Sequence, residues 1–148
     1  YKSYIQYKIN IQYRREVTSM DEKKLIEIAM DAKKNSYSPY SKFPVGAALL
    51  TESGKVYTGV NVENDSFGAT NCAERTAVFK AVSEDGELKI KALAICGGND
   101  IILFPCGICR QVILEFGDKD TKIICGNKKG DFKVFTLGEL LPNAFTEF

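Results

Sequence analysis

From Ala92 to Cys96 the chain reads ALAIC, with no polar side chain, and Gly97 and Gly98 follow at once. A run so short and so apolar reads as a strand buried on both faces. Helices must therefore cover whatever sheet contains it, and the neighbouring patterns supply them. "MDEKKLIEIAMDAKKN" (20–35) sets Leu25, Ile28, Ala29 and Ala32 on one helical face, with acids in the first turn and lysines in the last, as the helix dipole favours. "VGAALLT" (45–51) and "KVYTGVNVE" (55–63) read as two strands joined by a turn at ESGK. "CAERTAVFKAVSE" (72–84) is a helix stopped by DGE, and "PCGICRQVILEFG" (105–117) is another, with Pro before it and Gly after. "TKIICG" (121–126) and "FKVFTL" (132–137) add two strands, and "LGELLP" (137–142) is a short closing helix. After the opening hairpin, strands and helices alternate. The pattern predicts an α/β fold, a three-layer αβα sandwich around a mixed five-stranded sheet.

A chain of 148 residues suits one domain with a real core. No apolar run approaches the roughly 18 residues of a membrane span. A net charge of +1 shows no polybasic signature, so neither a membrane surface nor a nucleic acid polymer is expected as a partner. Residues 1–19 differ from the rest: four tyrosines, four basic residues and one acid, with Ile5, Tyr7, Ile9, Ile11 and Tyr13 alternating with polar neighbours. They read as an N-terminal extension or a cloning remnant, with Met20 as the usual start and 20–148 as a single catalytic domain. Without them the chain has 16 basic and 18 acidic residues, a net charge of −2.

The chain has five cysteines and no histidine. Without imidazole, Ser-His-Asp and Cys-His nucleophile schemes are excluded, and any metal must be held by Cys, Asp or Glu. The odd count and the absence of a secretory pattern point to reduced thiols in the cytoplasm, used for metal binding or catalysis. Cys72 opens one helix, and Cys106 and Cys109 form a Cys-x-x-Cys at the start of the next. A helix N-terminus favours thiolate over thiol. Three thiolates meeting at one sheet edge would bind Zn²⁺ and leave the fourth tetrahedral position for water, the catalytic arrangement. A Cys-x-x-Cys alone would equally suit a redox pair or half a zinc ribbon. A closed four-cysteine site would have to recruit Cys96 or Cys125, which lie in apolar strand patterns and read as small hydrophobes.

Glu74, two residues after Cys72, lies in the first helical turn, where both side chains can border one pocket. Cys72-x-Glu74 followed by Pro105-Cys106-x-x-Cys109 is the three-cysteine form of the zinc deaminase signature. With "YSPYSKFPVGAALL" (37–50), "GVNVEN" (59–64), "CAERTAVFKAVSE" (72–84), "PCGICRQV" (105–112) and "ELLPNAF" (139–145), the chain resembles the small, homotetrameric cytidine deaminases from about Met20 to Phe148. The resemblance implies a cytidine deaminase-like fold, one zinc per subunit on Cys72, Cys106 and Cys109, and a nucleoside substrate. It implies hydrolysis of cytidine and 2′-deoxycytidine to uridine and 2′-deoxyuridine in pyrimidine salvage, with Glu74 moving the protons. A carboxylate in that role needs a raised pKa, which burial beside thiolates would provide. The resemblance further implies that Asn61 and Glu63 bind the ribose hydroxyls, that Phe43 packs on the pyrimidine, and that the backbone of Ala73 holds the base edge. Phe145 would enter a neighbouring subunit's site, and Tyr40 and Phe67 would line its intersubunit parts.

Three thiolates load a zinc site with negative charge. Arg75 and Arg110, which directly follow Glu74 and Cys109, are the two arginines after Met20 and read as donors that draw charge off the sulfurs. The sequence departs from the family at Phe104, where serine is common, at Ile108, where alanine is common, and at Val60, where cysteine is usual. A deaminase acting on a modified cytosine nucleoside such as blasticidin would share the zinc motif but lack the pairing of "FPVGAAL" with "NVEN". A polynucleotide deaminase would want a basic channel, against the −2 core. A zinc-stabilised binding module would need a closed site and no Glu74.

Overall fold

Asp21 accepts a hydrogen bond from the Lys24 backbone N–H at 2.7 Å and caps the first helix, α1 (Glu22–Ala32), which tightens into a 3₁₀ turn at Lys33–Asn35. The computed structural model describes residues 20–86 and 88–146. The segment 1–19, read above as an extension, lies outside them. Leu25, Ile26 and Ala29 are the buried residues of α1. The sequence pattern favours Ile28 over Ile26, but Ile28 is only partly buried. The cause is a close approach: a Cβ at Gly46 would lie 2.1 Å from the Ala29 carbonyl oxygen. Ala29 therefore faces the sheet squarely. Leu25 and Ile26 lie within about 60° of it around the helix and Ile28 about 100° away. Ile26→Ala should cost about 2–5 kcal/mol in denaturant unfolding, and Ile28→Ala no more than about 1 kcal/mol. Equal losses would contradict this orientation.

The strands are β1 (Gly46–Thr51), β2 (Val56–Val60), β3 (Ile90–Cys96), β4 (Lys122–Gly126) and β5 (Phe132–Thr136), in the sheet order β2-β1-β3-β4-β5. β1 is antiparallel to both β2 and β3, β3 and β4 are parallel, and β5 returns antiparallel to β4. Side chains alternate between faces. Ala48, Leu50, Ala92, Ala94, Cys96 and Ile124 meet α1. Ala47, Leu49, Leu93, Ile95, Ile123 and Cys125 meet the opposite layer, formed by α2 (Ala73–Asp85) and α3 (Gly107–Phe116). A short α4 (Leu137–Leu140), held by a capping box of Thr136 and Glu139, buries Leu137 against this second core. The three layers agree with the α/β sandwich expected from the sequence.

β2 stops at Val60, opposite the first residue of β1. The sequence pattern carries it to Glu63; the Asn61 N–H still donates to the Val45 carbonyl at 3.3 Å, but residues 62 and 63 find other partners. The Val62 N–H donates to Asn71 and the Glu63 N–H to Tyr37, both at 2.9 Å. Because β2 and β3 both run opposite to β1, their C-terminal ends lie at the same edge of the sheet. α2 follows β2 and α3 follows β3, so both helices open at that edge. A Cβ on Gly59 would lie 2.2 Å from the Ala73 carbonyl oxygen and 2.4 Å from the Ala77 nitrogen, so the first turn of α2 rests directly on β2.

Candidate active site and metal centre

Cys72 and Cys106 occupy the N-cap positions of α2 and α3, where Ser, Thr, Asp or Asn would ordinarily bond back to the first turn. Neither sulfur makes such a bond. Both side chains are free to serve the space in front of the helices, with first-turn N–H groups and two helix dipoles behind them. Cys109 lies in the first turn of α3. The three Sγ atoms are within 4.8 Å of one another, and Cys72 and Cys106 are 4.0 Å apart. Tetrahedral zinc with bonds of about 2.3 Å wants sulfurs about 3.8 Å apart. The donor set therefore fits zinc with three thiolates and one position left over. Cys109 is buried and Cys106 exposed, so the cluster is walled on one side and reachable from the other. Cys96 and Cys125 are buried strand residues outside the cluster, Cys96 on the far face of the sheet. Burial pushes both thiols up, Cys125 to about 12.

Charge is arranged unevenly. The Cys109 side chain and the Arg75 guanidinium draw the Cys72 thiol down to about 5, against the opposing effect of its burial. Cys109, the partner of Cys72 and the more deeply buried, is raised. Glu74 is only 3% exposed, and burial lifts its carboxyl to about 7, with the Cys72 thiolate pushing the same way. It is a carboxyl poised to both take and give a proton near neutrality.

The two arginines divide. Arg75 donates through Nη2 to the Cys72 sulfur at 3.6 Å and to the Thr70 carbonyl at 3.3 Å. Its Nε is buried without a hydrogen-bond partner, leaving cationic capacity beside the thiols. Arg110 differs from the expectation that paired it with the sulfurs: it donates from Nε to the Pro105 carbonyl at 2.8 Å and from Nη1 to the Leu140 carbonyl at 2.6 Å.

Asn61 and Glu63 are each 9% exposed. Asn61 Oδ1 accepts from the Val45 N–H at 2.8 Å and from the Ser36 hydroxyl, while its Nδ2 donates to the Phe43 carbonyl at 2.9 Å. Glu63 accepts from the backbone N–H groups of Tyr40 and Ser41 at 2.9 and 3.2 Å, and from the Ser41 hydroxyl. Both side chains thus fix the loop that carries Phe43. Ser36 and Ser41, absent from the sequence-based site, hold these two residues; nothing local marks them, because their partners lie 25 and 22 residues away. The Phe43 ring lies where a Cβ on Gly97 would be, 2.9 Å from its Cζ. Ala73 is buried at the start of α2. Tyr40 and Phe67 meet edge to face at 5.9 Å and, with Ser41, Glu63 and Thr70, line a cavity of about 420 Å³. Phe145 is exposed, and its carbonyl accepts from Gln111 Nε2 at 2.8 Å. Phe104 packs its ring 5.3 Å from that of Phe135, and Ile108 is exposed between two of the cysteines.

A cytidine deaminase of Sporosarcina psychrophila is 51% identical over 128 residues, covering 86% of this chain and 93% of the relative. That of Halalkalibacterium halodurans is 50% identical over 127 residues, covering 86% and 96%. The crystal structure of cytidine deaminase from Burkholderia pseudomallei superposes with a TM-score of 0.79 at 46% identity, covering 85% of this chain and all of that one. A family model described as the cytidine and deoxycytidylate deaminase zinc-binding region matches residues 19–126. Since that span includes both helix mouths where the sulfurs meet, the chain belongs to the cytidine and deoxycytidylate deaminase family.

Proposed function

We propose that the chain hydrolyses the C4 amino group of cytidine and 2′-deoxycytidine, forming uridine and 2′-deoxyuridine and releasing ammonia. The observation that carries the reading is the meeting of three cysteine sulfurs within 4.8 Å, beside a buried Glu74, in a chain about half identical to cytidine deaminases. One zinc per subunit, held by Cys72, Cys106 and Cys109, supplies when bound a water activated as nucleophile at neutral pH. Glu74 would take the proton that the nucleophile sheds on adding to C4 and pass it to ring N3. It then carries the proton of the new C4 hydroxyl to the amino nitrogen, which leaves as ammonia. Arg75, which donates to the Cys72 sulfur, offsets part of the negative charge of the thiolates.

The substrate contacts follow from the same reading. Asn61 and Glu63 take the ribose hydroxyls, Phe43 packs on the pyrimidine, and the Ala73 backbone meets the base edge. Their support is the buried network that makes one body of Asn61, Glu63 and the loop bearing Phe43. Residues 20–148 act as a single catalytic domain. Exposed Tyr40, Phe67, Ile108 and Phe145 supply apolar surface of the kind that subunit interfaces cover. They support a homotetramer in which Phe145 completes a neighbour's site. The five thiols, none paired in a disulfide, suit the reducing cytoplasm and a place in pyrimidine salvage.

Purified zinc-loaded protein should convert cytidine to uridine with one equivalent of ammonia, read by chromatography and an ammonia assay. Stripping the metal with a chelator should lower the rate at least about a hundredfold, and zinc alone should restore it. Zinc-loaded protein that turns over neither nucleoside would overturn the reading.

A further inference from the structure

We infer that Arg110 is a positioning residue tying the loop that carries Cys106 to the end of α4 at Leu140, so that metal retention depends on that tie. This rests on the reading of the three sulfurs as a zinc centre.

Pro105 immediately precedes Cys106, and the carbonyl that Arg110 Nε holds at 2.8 Å belongs to the peptide linking the two. Rotating that peptide would swing Cys106 out of the cluster. Leu140, held by Nη1 at 2.6 Å, ends α4, and its carbonyl is one the short helix leaves without an internal partner. A guanidinium is a rigid planar fork, so it fixes the two carbonyls relative to each other. The next residue of α3, Gln111, donates to the Phe145 carbonyl at 2.8 Å. Consecutive residues of α3 therefore hold the chain at 140 and again at 145, and Asn143 between them takes the left-handed turn (φ 55°) that closes the loop. Arg75 already serves the sulfurs, whereas both hydrogen-bonded partners of Arg110 are backbone carbonyls. The bridge, not the charge, is what Arg110 contributes.

Arg110→Lys and Arg110→Gln test this against Gln111→Ala, with two readouts besides turnover: amide hydrogen exchange over 104–110 and 138–146, and the rate of zinc transfer to a chromophoric chelator. Both Arg110 variants should speed exchange in both segments together and release zinc about tenfold faster. Lys keeps the charge but cannot span two carbonyls. Gln111→Ala should loosen only 142–146 and leave zinc release unchanged. An Arg110→Lys protein that behaves like the parent would show that charge is what matters. Faster exchange in one segment alone would show that the two are not tied. If the parent itself holds no zinc, the metal reading fails, while the exchange data still decide whether the tie exists.

Discussion

Glu74→Gln is expected to keep its zinc and to lower kcat/KM for cytidine by at least about a thousandfold. Glutamine fills the same space in a pocket that leaves Glu74 only 3% exposed, so packing around the first turn of α2 is preserved. The three sulfurs are untouched. What disappears is the carboxylate proposed above to take a proton from the attacking water and return it to N3 and the leaving nitrogen. The chemistry needs both transfers, so an amide cannot support even part of it. Glu74→Asp separates position from charge: the carboxylate remains, one methylene farther from the ring. Its rate should fall between those of the parent and the glutamine variant. Metal analysis alongside steady-state kinetics makes the result decisive. A glutamine variant with normal zinc and near-normal turnover would remove Glu74 from the mechanism. One that also loses zinc would show that the carboxylate supports the cluster.

Much of this arrangement can be read in the sequence, because its signals are local. ALAIC announces a strand covered on both faces, and β3 is buried from Ala92 to Cys96. Cys72, Glu74, Cys106 and Cys109 are legible because both helix starts carry their chemistry within a few residues and because no histidine competes for the role. Distant pairings are not legible. Nothing near Arg110 reveals that its partner is a carbonyl 30 residues away, and its place beside Cys109 suggests the sulfurs instead. The extended pattern through Glu63 is real, but the end of β2 is set by where β1 begins, and the polar residues beyond it turn to the loop 36–45. Ile28 and Ile26 are equally apolar. Only the contact of Ala29 with Gly46 decides which of them faces the sheet.

Gly59→Ala should reach the metal centre from a strand that contributes none of its ligands. The added methyl would meet backbone atoms, the Ala73 carbonyl oxygen at 2.2 Å and the Ala77 nitrogen at 2.4 Å, so no side-chain rotation relieves the clash. The first turn of α2 must lift, and it carries Glu74 and follows directly from Cys72. Overpacking of this kind costs about 1–3 kcal/mol, and a displacement of about 1 Å at reacting groups can cost about a hundredfold in rate. The expected result is a lower Tm, zinc released about tenfold faster, and kcat/KM reduced about a hundredfold. Loss of stability alone would not establish the point, so Gly46→Ala is the matched comparison. Its methyl would press equally hard on the Ala29 carbonyl oxygen, at 2.1 Å, but on the opposite face of the sheet, under α1. It should lower Tm by a similar amount and leave zinc release near the parental rate. If the two variants lose zinc alike, the sheet transmits strain to the cluster generally. If only Gly59→Ala does, the seat of α2 on β2 sets the spacing of Cys72 from Cys106 and Cys109.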